Sequence, residues 1–192
     1  MKHNIILIGF MGCGKSSIGV RLSYKLRMAM VDTDKLIESR AGKSISDIFA
    51  SEGEACFRER ERQCLEGLLS GKSRRILSTG GGLPLRAENR AMLKELGQVI
   101  YLRATPQTIY ERLKSDTTRP LLQTENPKQR IEELLLQRAS IYEEAADVVI
   151  DVDGREFEEI IHEIRSRYHR WERKTEKGKQ KKGGRKNAHT GN

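Results

Sequence analysis

Short apolar runs alternate with longer amphipathic stretches along this chain, beginning with NIILIG at 4–9. That run predicts a first strand, and the next stretch, 15 to about 27, predicts a helix. A second short strand at 29–32 leads into helices at about 35–41 and 44–50, the latter with Ser44 placed as its N-cap. A long amphipathic helix follows at 54–69, then a strand at 75–79 that runs into Gly80-Gly81-Gly82. The pattern continues with a helix at 84–96, a strand at 98–102 and a helix at 106–114. Positions 115–126 show no periodicity, and Pro120 and Pro127 punctuate that stretch and its end. A helix at 127–146, a strand at 148–152 and a last helix from about 155 complete the series. Such strand–helix alternation predicts an α/β fold, a central parallel sheet with helices on both faces.

The residues after the first strand, GFMGCGKSS at 9–17, give the first chemistry. Gly9, Gly14, Lys15 and Ser16 fit G-x-x-x-x-G-K-[ST] in a strand–loop–helix context. The glycines let successive backbone N–H groups converge on phosphates, Lys15 adds a point charge, and Ser16 offers a hydroxyl to Mg2+. Ser17 is a second hydroxyl that can share that role. A GTPase reading fails: DVDG at 151–154 and LKSD at 113–116 stand in reversed order, and the guanine-reading asparagine is missing. The strand RRILST ends in hydroxyls, so a metal-binding carboxylate must come from elsewhere. VDTD supplies it at the carboxyl end of the second strand, where open α/β sheets bind ligands. Read as extended chain, Asp32 and Asp34 face the same crevice. One suits Mg2+ through water and the other suits an attacking hydroxyl. The alternative makes Thr33 or Asp34 merely the N-cap of the next helix.

Two helices carry charges inside apolar stripes. In GEACFRERERQCLEGLL, Glu61 stands four residues after Phe57 and three before Cys64, and Arg58 flanks the same face. In QRIEELLLQRASIYEEAA, Arg138 lies within the stripe of Ile131, Leu134, Leu135 and Tyr142. A charge so placed costs several kcal/mol unless paired. One reading is an internal ion pair. The other has both arginines reaching into a cleft to fork a carboxylate of an anionic substrate, with Glu61 orienting Arg58. Gly80, Gly81 and Gly82 then form a wall on the substrate side. The aperiodic segment 115–126 reads as a mobile lid, with Arg119 placed to swing onto a transferring phosphoryl group.

Composition narrows the class. At 192 residues, 33% charged and 5% aromatic, the chain suits one soluble domain. No apolar run approaches a membrane span, and the first strand begins too early for a signal peptide, so a cytoplasmic protein is expected. Cys56 and Cys64 on one helix stand ~12 Å apart, too far for a disulfide. The net charge of +9 sits wholly in 165–192, where eleven Lys/Arg meet two Asp/Glu; the remaining 25 basic and 25 acidic residues cancel. The expected division is therefore a catalytic domain over 1–171 and a basic, disordered tail over 172–192. A role for that tail in weak polyanion contact stays open, although no aromatics interleave its cations.

As an ordered set, GFMGCGKSSIG, VDTD, GKSISDIFASEGEACFRERE, STGGG, TRPLL and RASIYEEAAD closely resemble the shikimate kinase family, within the nucleoside-monophosphate-kinase-like P-loop group. The similarity spans about residues 4–160. It implies a three-layer P-loop kinase fold that phosphorylates the 3-hydroxyl of shikimate with ATP, acting as a monomer. By resemblance, the loop residues Gly12, Cys13, Gly14, Lys15, Ser16 and Ser17 hold ATP, and Ser16 and Asp32 serve Mg2+. Asp34, Arg58, Gly80, Gly81 and Arg138 line the shikimate site, with Asp34 as the hydroxyl-orienting base. Arg119 becomes the lid residue on the ATP phosphates, and Arg112 and Arg155 are candidates for the adenine side. Cys13 departs from the commoner Ser or Ala, STGGG replaces ATGGG, and the basic tail lies outside the pattern. The alternatives are a related small-molecule kinase, such as a gluconate kinase, and a nucleic-acid-binding P-loop protein acting through the basic tail.

Overall fold

The computed structural model describes residues 3–71, 73–114 and 124–186, with side chains as far as 177. Five strands form one parallel sheet in the order β2-β3-β1-β4-β5. They are β1 (Asn4–Ile8), β2 (Ala29–Asp32), β3 (Arg75–Ser78), β4 (Gly97–Arg103) and β5 (Val148–Asp151). Every residue of the central strand β1 is buried, as expected for a parallel strand covered on both faces. The helices are α1 (Lys15–Leu26), α2 (Thr33–Ala41), α3 (Ile45–Ser70), α4 (Ala87–Leu96), α5 (Pro106–Leu113), α6 (Pro127–Ala145) and α7 (Phe157–Lys186). Among the described residues no helix is long and apolar enough to cross a membrane.

The register decides where chemistry can gather. Asp32 pairs with Ser78 across β2–β3, and Ser78 pairs with Leu7 across β3–β1. The loops that leave β1 and β3, and the helix that leaves β2, therefore start side by side at the carboxyl edge. Thr79 extends the join by donating its N–H to Leu7 O at 3.1 Å.

The two helices expected at 44–50 and 54–69 are one helical span, α3, broken at Gly53 (φ 82°, ψ 171°). That left-handed backbone re-aims the second half, which carries Phe57, Arg58 and Glu61. Ser44 caps α3 by accepting from Asp47 N at 3.1 Å, as the sequence implies. The helix expected over 84–96 divides instead into a 3₁₀ turn (Leu83–Leu85) and α4, because Arg86 between them is extended. The final helix starts at Phe157 rather than 155 and continues to Lys186. Helical backbone thus runs over 172–186, within the tail for which disorder is expected. Lys, Arg, Glu and Gln are good helix formers, and they extend a helix already anchored by Tyr168, whose hydroxyl donates to His3 O at 2.7 Å. The described cysteines are all free: Cys13 and Cys64 are buried and Cys56 is half-buried.

Candidate active site

The loop between β1 and α1 owes its shape to three glycines with positive φ, at Gly9 (140°), Gly12 (78°) and Gly14 (99°). Left-handed backbone at these points curls the loop into a cradle before α1, braced by Cys13 N donating to Phe10 O at 3.3 Å. Lys15 is buried; its Nζ donates to Gly9 O and Phe10 O, both at 2.9 Å, and lies 3.7 Å from Cys13 Sγ. The ammonium thus sits over the loop it would serve. Arg112 of α5 donates to Gly12 O at 3.1 Å, so it borders the cradle. Arg155 engages Asp151 O at 3.1 Å and Glu163 at 2.9 Å, at the end of β5. Ser17 is exposed on α1.

Ser16 Oγ donates to Asp32 Oδ2 at 2.9 Å, and Ser78 Oγ lies 3.2 Å from Ser16 Oγ. Hydroxyl and carboxylate oxygens converging at one point form the hard donor set that Mg2+ prefers. Asp32 has a second task that the sequence reading gave to Thr33 or Asp34. It is the N-cap of α2, its Oδ1 accepting from Asp34 N at 3.1 Å and Lys35 N at 3.4 Å. Asp34 is therefore helical and not extended, and the expected parallel aim of the two carboxylates does not hold. Asp32 turns to Ser16, whereas Asp34 turns to the glycine run after β3.

That run is where the separated charges meet. A Cβ placed on Gly80 would stand 3.2 Å from Asp34 Cγ and Oδ2 and closer still to Oδ1. One on Gly82 would stand 2.7 Å from Arg58 Nη2 and overlap Nη1. Gly81 rests on the phosphate loop, its Cβ position 3.4 Å from Met11 N and 3.5 Å from Gly9 O. Tyr142 Oη donates to Gly81 O at 2.6 Å, and Arg138 stands one turn earlier on α6. The Arg138 guanidinium also stands 5.7 Å above the Phe10 ring. The glycine run thus carries Asp34 and Arg58 against it, and Arg138 stands over Phe10 of the adjoining phosphate loop. Arg119 lies outside the described residues, as does most of the expected lid, 115–123.

Arg58 is held from two sides. Glu61 accepts from its Nη1 at 2.8 Å, and Glu54 Oε1 accepts from Nε and Nη2 at 3.1 and 2.9 Å. Burial works against the Arg58 charge, but the two glutamates more than reverse it and strengthen the cation. Glu61 is 1% exposed; burial pushes its carboxyl up to about 7, Arg58 pulls it back, and the charge of Asp34 pushes the same way as burial. The internal ion pair exists between Arg58 and Glu61, and it lies beside Gly82. Glu54, Ser78 and Tyr142 were missed. The spacing of four between Glu54 and Arg58 was the available signal for the glutamate.

The model of the shikimate kinase family matches residues 11–169. The chain belongs to the shikimate kinase family. It is 47% identical over 167 residues to a shikimate kinase of Thermodesulfovibrio yellowstonii, covering 87% of this chain and 95% of that one. Among solved structures, a shikimate kinase from Acinetobacter baumannii in complex with shikimate superposes with a TM-score of 0.79 at 39% identity, over 84% of this chain and 89% of that one. A gluconokinase from Sinorhizobium meliloti reaches a TM-score of 0.52 at 17% identity, over 87% and 91% of the two chains, a likeness of fold alone. The family match ends just before the basic stretch of α7.

Proposed function

We propose that this chain transfers the γ-phosphoryl group of ATP to the 3-hydroxyl of shikimate, releasing ADP and shikimate 3-phosphate. The observation that carries the reading is the packing of Asp34 and Arg58 against Gly80 and Gly82, next to the loop that would hold ATP. Arg58 and Arg138 present guanidinium forks to the ring carboxylate. Asp34, one glycine away, accepts a hydrogen bond from the attacking hydroxyl and orients it.

The transition state of such transfers is loose, so catalysis comes from alignment and charge neutralisation more than from covalent chemistry. Gly12, Cys13, Gly14 and Ser17 hold the phosphates through the backbone at the start of α1. Lys15 leaves its loop carbonyls for the phosphate oxygens, and Arg119 neutralises the moving group from the lid. Ser16 and Asp32 would hold Mg2+, which when bound offsets charge on the β and γ oxygens. Arg112 and Arg155 border the nucleotide side.

An ADP-release assay with shikimate, gluconate, nucleoside monophosphates or no acceptor tests the reading. Turnover is expected with shikimate alone; comparable turnover with gluconate would overturn it.

A further inference from the structure

Thr33 is fully buried between the two acids of VDTD, and the proposed chemistry makes no use of its hydroxyl. Its Oγ1 accepts from Gly80 N at 3.0 Å, a buried bond between residues 47 positions apart. The topology shows why a side chain is needed there. Asp32 ends β2 and pairs with Ser78, so beyond Ser78 the β3 chain loses its strand neighbour on that side as α2 begins. On the other side strand backbone is still at hand: Thr79 N donates to Leu7 O at 3.1 Å, and Thr79 Oγ1 donates to the same carbonyl at 3.2 Å. The next N–H, that of Gly80, meets the first residue of α2, whose hydroxyl stands in for the missing strand carbonyl. The start of the glycine run is thereby held from both flanks.

Gly80 is also the residue against which Asp34 packs, its carboxylate standing where a Cβ would be. Thr33 and Asp34 are consecutive in the first turn of α2, so two neighbouring side chains engage one glycine, the first through its N–H and the second across its open face. We propose that Thr33 is a positioning residue that locks the start of α2 to Gly80, so that the Asp34 carboxylate meets the attacking hydroxyl at a single aim. The inference rests on the proposed shikimate reading and deepens it. Asp32, on the other side of Thr33, is held separately by Ser16 and by the cap bonds from Asp34 N and Lys35 N. Loss of the Thr33 hydroxyl therefore disturbs the acceptor side and spares the nucleotide side.

Thr33→Val keeps the branched shape and removes the acceptor, whereas Thr33→Ser keeps the acceptor and removes a methyl. Steady-state kinetics for both substrates, with thermal unfolding alongside, test the proposal. In Thr33→Val kcat should fall about tenfold, the scale of a buried donor left unpaired. The ATP KM should stay within about twofold, and Thr33→Ser should keep kcat within about threefold of wild type. In an Asp34→Asn background, Thr33→Val should change kcat less than about twofold, because the carboxylate it aims is gone. Should Thr33→Val fold poorly, Thr33→Ala removes the same acceptor and enters the same cycle. An unchanged kcat in the variant lacking the acceptor, or a full tenfold loss persisting without the Asp34 carboxylate, overturns the proposal. So does Thr33→Ser failing as badly as Thr33→Val, or a parallel loss in kcat and both KM values with a lowered melting temperature, which marks a structural prop. A wild-type enzyme inert toward shikimate would instead sink the underlying functional reading.

Discussion

Glu61→Gln separates what the buried carboxylate does for Arg58 from what it costs the fold. Burial and the nearby Asp34 charge outweigh the pull of Arg58, and the carboxyl rises from the ordinary 4.5 to about 7. The folded chain therefore binds this proton more tightly than the unfolded chain does. The stability so gained is present in full below about pH 4.5 and is lost as pH rises through about 7. The span is worth about 3 kcal/mol, at 1.36 kcal/mol for each tenfold change in proton affinity. Glutamine does not titrate. The unfolding free energy of Glu61→Gln minus that of wild type should thus climb by about 3 kcal/mol from pH 4.5 to pH 8.5. Titrating groups that do not interact with Glu61 cancel in that difference. Urea unfolding followed by the fluorescence of the single tryptophan, Trp171, which stacks on Tyr168 at 6.0 Å, reads it directly. Function should move the other way. At pH 8.5 the variant lacks the charge that holds Arg58, and its shikimate KM should be about tenfold above wild type. Near pH 5.5 wild-type Glu61 is itself protonated, and the two KM values should converge. A stability difference that stays constant across this range would refute the reasoning.

Asp34→Asn keeps the shape beside Gly80 but weakens the acceptor; kcat should fall at least 100-fold while ATP affinity by calorimetry stays within twofold. Gly82 has ordinary helical backbone (φ −89°, ψ −13°), so Gly82→Ala strains nothing locally, but its Cβ displaces the Arg58 tip. It should leave the melting temperature unchanged or slightly raised and raise the shikimate KM several-fold, and an unchanged KM would deny Arg58 its place in the site. Truncation after Lys177 removes most of the basic extension but keeps Glu172, the partner of Arg74. Shikimate turnover should persist while salt-dependent retention on a heparin column weakens, and lost turnover would make the extension part of the catalytic domain.

How much of this was legible in the sequence follows from the range of each interaction. The phosphate loop is set by residues adjacent in sequence, and so is the alternation of buried strands, so 9–17 and the sheet could both be read from local pattern. Arg58 and Arg138 were visible because a charge in an apolar stripe contradicts its surroundings, although nothing local says whether its partner is a protein group or a ligand. What the pattern does not encode is strand order. The pairing of β3 between β1 and β2 brings Gly80–Gly82 beside both the phosphate loop and Asp34, and it rests on hydrogen bonds between segments 71 and 46 residues apart. The error over Asp32 and Asp34 has the same origin in miniature. An acid ending a strand can either continue extended or cap a helix, and the choice falls to the cap because Asp32 can accept from two orphan N–H groups of α2 while still reaching Ser16. One carboxylate thereby joins the helix start to the candidate metal site, and the other is released to the glycine wall. Two acids two residues apart can serve different chemistry only because the helix begins between them.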